Sequence, residues 1–186
     1  SWYVLDVQDG KYDLYPSAQV YPMAAYQYKH GRATPIIDAV WLNAYNIIAN
    51  ANNALKFIEK RSNVLDPVSY KVIKGELLAI RAMLHFDLMR IYGYGDLASR
   101  TDKETKLTIP YVKEYKKETT EQLSYKKTID LIVTDLKEAL DLLEEEDPIT
   151  KKHTDDYYDN LNDDGFYSDR TYRLNYFAVK ALLARV

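Results

Sequence analysis

Hydrophobic side chains recur every three to four residues in four segments of the chain, the spacing that places them on one face of an α-helix. The clearest segment covers residues 38–60, and its face is apolar except for one asparagine. That face comprises Trp41, Ala44, Tyr45, Ile48, Ala51, Asn52, Leu55 and Ile58. No segment alternates apolar and polar residues over a sustained run, as a half-buried strand would. The chain is therefore predicted to be all-α, with helices at about 38–60, 67–92, 124–146 and 175–186.

The second helix has clear signals at both ends. Asp66 can cap its first turn, Pro67 suits the first helical position, and Gly93 ends it. The apolar positions predict which face of each later helix is buried. These positions are Tyr70, Ile73, Leu77, Ile80, Leu84, Leu88 and Ile91 in the second helix, Ile129, Ile132, Val133, Leu136, Leu140 and Leu143 in the third, and Phe177, Ala181 and Ala184 in the fourth.

Short connections predict helical hairpins. The first two helices are joined by about five residues, which favours antiparallel neighbours, and the third and fourth are expected to form a second pair. Trp41 and the Ala82–Phe86 step partly match a tetratricopeptide repeat, although the first helix is too long for that unit. Loops of roughly 25 residues follow the second and third helices, and loops of that length usually carry function.

Composition excludes several classes of function. The 186 residues suit a single domain, 1–186, with a net charge of −3 that disfavours nucleic acid as a partner. The sequence has no cysteine, which excludes disulfides and thiolate chemistry. No cofactor motif is present, and an enzyme is not expected, because paired acids such as Asp155 and Asp156 are too common here to indicate a glycosidase.

No metal site is expected either. The three histidines, His30, His85 and His153, lack ligand spacing. The segment that begins Asn160, Asn162, Asp164, Gly165 resembles the start of a calcium loop but has Thr171 where a glutamate is required.

Tyrosine is unusually frequent, with 18 tyrosines against four phenylalanines. Exposed aromatic rings can stack on sugars while their hydroxyls form hydrogen bonds. The segment before the first helix concentrates such rings among polar residues, and they form the candidate ligand-binding set: Trp2, Tyr3, Tyr12, Tyr15, Tyr21, Tyr26 and Tyr28. The alternative interpretation is that Pro16 and Pro22 mark a coil packed over the helices, with these rings as its anchors.

A series of short motifs follows in order over roughly residues 38–186. They are Trp41, Tyr45, Ile48, Ala51, Asn52, Leu55 and Ile58; Gly75, Glu76, Ala79, Arg81, Ala82, Phe86 and Leu88; 92–96; Ile109, Pro110 and Tyr111; Asp135, Leu136, Ala139 and Leu143; and Asn175, Ala178 and 181–186. This order of motifs resembles the SusD/RagB proteins, surface nutrient-binding lipoproteins of Bacteroidetes-type bacteria. One departure is that Tyr94 and Gly95 precede Asp96, where the family usually reads Tyr-Gly-Asp.

The resemblance implies an N-terminal fragment of a longer protein that captures oligosaccharides at the outer face of the outer membrane. Delivery to a SusC-like TonB-dependent transporter barrel would follow. The protein would be held at the cell surface by a lipid anchor on a cysteine upstream of Ser1, and would contact the membrane only through that anchor. Two alternatives remain open: capture of peptides by the same kind of complex, and a helical-repeat scaffold that binds only proteins.

Overall fold

A computed structural model describes residues 6–61, 63–94, 99–159, 161–162 and 165–186. The predicted ligand-binding residues Trp2 and Tyr3, and the motif residues Gly95 and Asp96, lie outside these ranges. The helices are α1 (Tyr21–Ala24), α2 (Thr34–Lys60), α3 (Pro67–Tyr92), α4 (Tyr125–Glu146), α5 (Asp155–Asp159) and α6 (Tyr176–Arg185). Strands β1 (Leu107–Pro110) and β2 (Gln122–Ser124) pair antiparallel, and two 3₁₀ turns cover Pro148–Thr150 and Arg170–Tyr172.

The predicted all-α class is confirmed, and the four long helices begin or end within a few residues of their predicted bounds. Only α2 differs by a full turn, beginning at Thr34 rather than about 38. The caps were also predicted correctly at α3, where the Asp66 carboxylate accepts hydrogen bonds from the backbone N–H groups of Val68 and Ser69, both at 2.9 Å. Gly93 closes the same helix by donating from its N–H to the Met89 carbonyl at 2.9 Å.

The chain forms two compact units, Ser1–Asn46 and Ile47–Val186. In the first, Val7, Met23 and Ala33 are buried together. Partly buried side chains of Leu14, Val20, Ala24, Ile36 and Ile37 surround them. Whether the whole chain behaves as the single domain expected from its length stays a prediction.

In the second unit, α3 packs most extensively on α4, and α4 also packs on α6, as the second predicted hairpin requires. Small residues bring α3 and α4 together. A Cβ added at Gly75 would lie 2.8 Å from Leu143 Cγ, closer than real Cβ contacts come. Ala79 and Ala139 are completely buried in the same unit. Glycine at position 75 therefore permits the close approach of these two helices.

The predicted buried face of α2 is confirmed at Ile48, Ala51, Asn52 and Leu55. The predicted buried face of α3 is wrong. Its buried positions include Val68, Val72, Gly75, Ala79, Ala82, Phe86 and Met89. Of the predicted set only Leu88 is buried, and Tyr70, Ile73, Leu77, Ile80 and Leu84 are partly buried. Helix α3 is apolar on several sides, so periodicity did not single out the stripe whose small residues admit α4.

The predicted face of α6 is also wrong. Val179 and Leu182 are the buried residues, whereas Phe177, Ala181 and Ala184 are exposed. Ala181 and Ala184 permit close packing but do not require it, and the larger Val179 and Leu182 bury more apolar surface than these alanines would.

A buried polar network connects three helices of the second unit. The Arg81 guanidinium on α3 donates from Nε and Nη2 to the Asp135 carboxylate on α4, at 2.6 and 2.9 Å. Arg81 Nη1 donates to Asn52 Oδ1 on α2 at 2.9 Å, and the Asn52 amide donates to the Val112 carbonyl at 2.8 Å. The Tyr111 hydroxyl donates to the same carboxylate at 2.6 Å. Asn52, the polar residue on the otherwise apolar face of α2, is therefore hydrogen-bonded both to α3 and to the chain after β1.

A second network attaches the segment after α4 to α3. Arg170 donates from Nε and Nη2 to the buried Asp147 carboxylate at 3.1 and 2.9 Å, and from Nη1 to Glu76. Asp147 also accepts from the backbone N–H of Tyr176 at 3.0 Å, where α6 begins. Glu76 and Arg81, which cannot face each other along one helix, therefore each find a partner elsewhere in the fold.

Replacing Asp135 by Asn should leave the Arg81 charge buried without a counterion and lower the free energy of unfolding by about 3–5 kcal/mol. The matched control is Asp130→Asn on the exposed side of the same helix, where the Lys126–Asp130 pair at 2.7 Å is solvated. Urea unfolding followed by circular dichroism compares the two variants. Equal losses of unfolding free energy in the two variants would show that the buried ion pair matters no more to stability than the exposed one.

Protonation of His85 should destabilise the fold. Val112 N–H donates to His85 Nε2 at 3.0 Å, so Nδ1 carries the hydrogen and donates to the Arg81 carbonyl at 2.8 Å. Burial, reinforced by the nearby Arg81 charge, lowers the pKa of His85 to about 4, although Asp135 acts in the opposite direction. A neutral, fully hydrogen-bonded imidazole is therefore the stable form in the fold.

Because the folded pKa lies below the ordinary value of about 6.5, the unfolded chain binds the extra proton first as pH falls. The stabilisation that neutral His85 gives to the fold is fully present above about pH 6.5. As the pH falls towards 4 the free energy of unfolding decreases, by roughly 3 kcal/mol in total. Urea unfolding between pH 7.5 and 4.5 should show this loss in the native sequence and a flatter profile in His85→Gln. If the pH profiles of unfolding free energy ran parallel in the native sequence and in His85→Gln, His85 would not be the source of the pH dependence.

Candidate functional site

The candidate site lies in the first unit and is formed by Tyr26, Tyr28 and Gln8, here called the tyrosine surface. Four tyrosines of this unit, Tyr12, Tyr15, Tyr26 and Tyr28, are exposed, from 48% for Tyr28 to 82% for Tyr15. Burying rings of this size is normally favourable, so an exposed group of them is available to a ligand.

Tyr26 and Tyr28 form an ordered pair within this surface. Their ring centroids lie 6.3 Å apart with an 84° angle between the planes, an edge-to-face arrangement. Gln8 holds both rings, because its amide Nε2 donates to the Tyr28 hydroxyl at 2.9 Å and its backbone carbonyl accepts from the Tyr26 hydroxyl at 2.7 Å. Two nearly perpendicular aromatic faces are thus fixed before any ligand binds.

Local backbone structure supports the pair. Tyr26 has a φ of 55°, a left-handed conformation that turns the chain directly after α1. Arg32 stabilises the coil that precedes α1, because its guanidinium donates to the carbonyls of Pro16, Ser17 and Ala18 at 2.9–3.1 Å. The side chains of the tyrosine surface therefore stand on a coil fixed by hydrogen bonds and by the small core around Met23.

The structure brings only part of the predicted set together. Among the described residues of that set, only Tyr26 and Tyr28 are in ring contact. Tyr12 and Tyr15 are exposed on the same unit, and Tyr21 is half-buried at the start of α1. The core cluster of this unit contains no tyrosine among its described residues. The alternative, in which the rings anchor a coil over the helices, stays open.

Other tyrosines have a structural role. Tyr111, Tyr125, Tyr158 and Tyr167 are buried, and each hydroxyl has a partner inside the protein. Tyr167, for example, shares a 2.7 Å hydrogen bond with the Ser69 hydroxyl on α3. The high tyrosine content therefore serves both an exposed surface and a polar core.

Within the described part of the chain, no group of three or more histidine, aspartate or glutamate side chains could hold a metal ion. None of the helices found there is long and apolar enough to cross a membrane.

Comparison with known proteins identifies the family of the chain. Residues 14–156 match the model of a SusD-like family described as starch-binding and associating with the outer membrane. The chain belongs to this SusD-like family. A structural neighbour from Bacteroides vulgatus ATCC 8482, whose name provisionally calls it a sugar binding protein, is 28% identical, with a TM-score of 0.57.

The alignment with that neighbour covers 78% of this chain but only 28% of the neighbour's chain, so the SusD-like protein described here spans a minor part of its length. No curated protein matches the chain significantly. The match to the family covers α1 to the start of α5, which includes Tyr26 and Tyr28 of the tyrosine surface but not Gln8.

Proposed function

We propose that this SusD-like chain binds oligosaccharides at the bacterial cell surface, without catalysis, and that the tyrosine surface is a binding site. The observation that supports this most is the Tyr26–Tyr28 pair, exposed yet fixed by Gln8. The family description adds starch binding and association with the outer membrane.

The geometry of the pair suits a curved glycan. A sugar ring presents axial C–H groups that pack on an aromatic face, and its equatorial hydroxyls need hydrogen-bond partners at the rim. The Tyr28 hydroxyl accepts from Gln8 and keeps its own hydrogen to donate. Two faces at 84° can contact successive residues of a bent chain such as an α-linked glucan, whereas a flat chain would meet only one of them.

Fixing the rings in advance lowers the entropic cost of binding. Neither ring needs to reorder, because one hydroxyl is held by the Gln8 carbonyl and the other by the Gln8 amide. Solvent-exposed binding of this kind gives modest affinity at each site and is suited to capture followed by release.

The further step in this proposal is delivery of the captured glycan to a SusC-like TonB-dependent barrel, with the protein held at the outer membrane by a lipid anchor. Membership of the SusD-like family supports this step. Capture of peptides instead of glycans is the second candidate, since exposed tyrosines with amide neighbours can also contact a peptide backbone.

The test is binding of the chain to maltoheptaose, cellohexaose and a mixed peptide library by isothermal titration calorimetry. Replacing Tyr26 and Tyr28 together by Ala should weaken maltoheptaose binding by about tenfold or more, because two stacking contacts of roughly 1 kcal/mol each are lost. The matched control replaces Tyr115 and Tyr172 by Ala, since these are exposed tyrosines of the other unit.

Unchanged helical circular dichroism would confirm that the variants fold. Unchanged affinity in the double variant would remove the tyrosine surface from the binding site, and binding of peptides alone would favour the second candidate. A reducing-sugar assay after prolonged incubation with maltoheptaose should remain at background, and release of new reducing ends would contradict a non-catalytic role.

A further inference from the structure

A cavity of about 670 Å³ lies in the second unit, between the end of α3, the turn at 102–106 and the two strands. Its size falls within the range of small-ligand sites. The lining combines aromatic, hydroxyl, amide and charged groups, including Tyr92, Tyr94, Thr105, Lys106 and Gln122. This composition is typical of a site for a polar ligand that also has an apolar face.

The walls of the cavity are held by the main chain. The buried Tyr125 hydroxyl donates to the Tyr94 carbonyl, and the Tyr125 N–H donates to the Lys106 carbonyl at 3.2 Å. A Cβ at Gly93 would lie 2.7 Å from the Tyr125 hydroxyl oxygen, so only glycine permits this close approach. Tyr94 and Lys106 are therefore positioned by the same buried residue.

The charges that line the cavity do not cancel. Arg100 binds the Asp102 carboxylate with two hydrogen bonds of 2.8 Å, and this pairing holds the pKa of Asp102 below its usual range. Lys106, by contrast, forms no ion pair with any described residue. Lys106 lies close enough to Asp102 to lower its pKa as well, but Arg100 acts more strongly, so the three groups leave one net positive charge beside the cavity.

The Lys106 charge lies beside an exposed aromatic ring. Lys106 Nζ is 4.0 Å from the centroid of the Tyr94 ring, and that ring is 54% exposed. The ring attracts the ammonium group through its π electrons and so keeps it at the cavity. The Gln122 amide donates from Nε2 to the Thr108 carbonyl at 2.7 Å, and its oxygen can still accept a hydrogen bond from a hydroxyl.

We propose that this cavity binds an acidic sugar residue, a hexuronate within an oligosaccharide, whose carboxylate pairs with Lys106 while its ring contacts Tyr94. The hydroxyls of such a residue would donate to Gln122 and Thr105. The proposal rests on the proposed function only for the choice of a glycan as ligand. The charge and the position of the cavity are independent of the tyrosine surface, which belongs to the other unit.

The probe is trigalacturonate, and its neutral match is the fully methyl-esterified trisaccharide. Calorimetry in low salt should show the native chain binding the acid at least tenfold more tightly than the ester, and added salt should reduce this preference. The variant Lys106→Met keeps the aliphatic stem but removes the charge, so it should lose the preference. Lys106→Arg keeps the charge and should retain most of the preference for the acid.

Two controls complete the design. Lys126→Met removes an exposed lysine that is already paired with Asp130, and it should leave the preference unchanged. The combined Tyr26→Ala and Tyr28→Ala variant should also keep the preference for the acid. Equal affinity of the native chain for acid and ester, or a preference that persists in Lys106→Met, would overturn the proposal.

The outcomes separate the two hypotheses. Maltoheptaose binding that depends on Tyr26 and Tyr28, together with no preference for the acid, would overturn the acidic-sugar site and leave the tyrosine surface supported. A preference for the acid that depends on Lys106, with no effect of the tyrosine variant on the binding of any glycan, would support the acidic-sugar site and overturn the tyrosine surface. Absence of glycan binding in every titration would overturn both.

Discussion

The ion pair between Arg81 and Asp135 is the contact on which the second unit depends. It joins α3 to α4 at their buried faces, and through Asn52 and Tyr111 it also fixes α2 and the chain after β1. A buried charge pair contributes little net stability compared with apolar packing, but removing one partner is costly. The pair therefore specifies which helices meet and in what register, while Gly75 sets how closely they approach.

Both candidate sites are built on frameworks fixed in this way. In the first unit, Arg32 and Gln8 hold the coil and rings through hydrogen bonds, and the apolar core around Met23 lies beneath. In the second, the buried Tyr125 at the start of α4 orders the cavity wall at Tyr94 and Lys106. Aromatic rings in both places are exposed on a backbone held by hydrogen bonds, which lowers the entropic cost of binding a ligand.

Sequence periodicity predicted the existence of the four long helices because each has a strong apolar repeat, and Asp66 and Gly93 marked the ends of α3. It failed to identify the buried faces of α3 and α6, where apolar residues lie on more than one side and tertiary contacts decide. The strands escaped prediction because runs of four and three residues are too short to show alternation.

The sites were predictable only in part, for a related reason. Local composition indicated the tyrosine-rich segment, but the pairing of Tyr28 with Gln8 joins residues 20 positions apart, and nothing in the spacing shows it. Lys106 likewise meets Tyr94 only after the chain has turned back at residues 102–106. Contacts formed by folding, rather than by sequence neighbours, determine which of the many tyrosines can bind a ligand.

The most direct test of the central claim is a nuclear magnetic resonance titration of the chain, carrying ¹³C-labelled tyrosine rings, with maltoheptaose. The resonances of Tyr26 and Tyr28 should shift progressively and saturate, while those of Tyr115 and Tyr172, which are exposed in the other unit, should not move. Shifts confined to other tyrosines, or no shift at saturating ligand, would contradict the assignment of the tyrosine surface as a glycan-binding site.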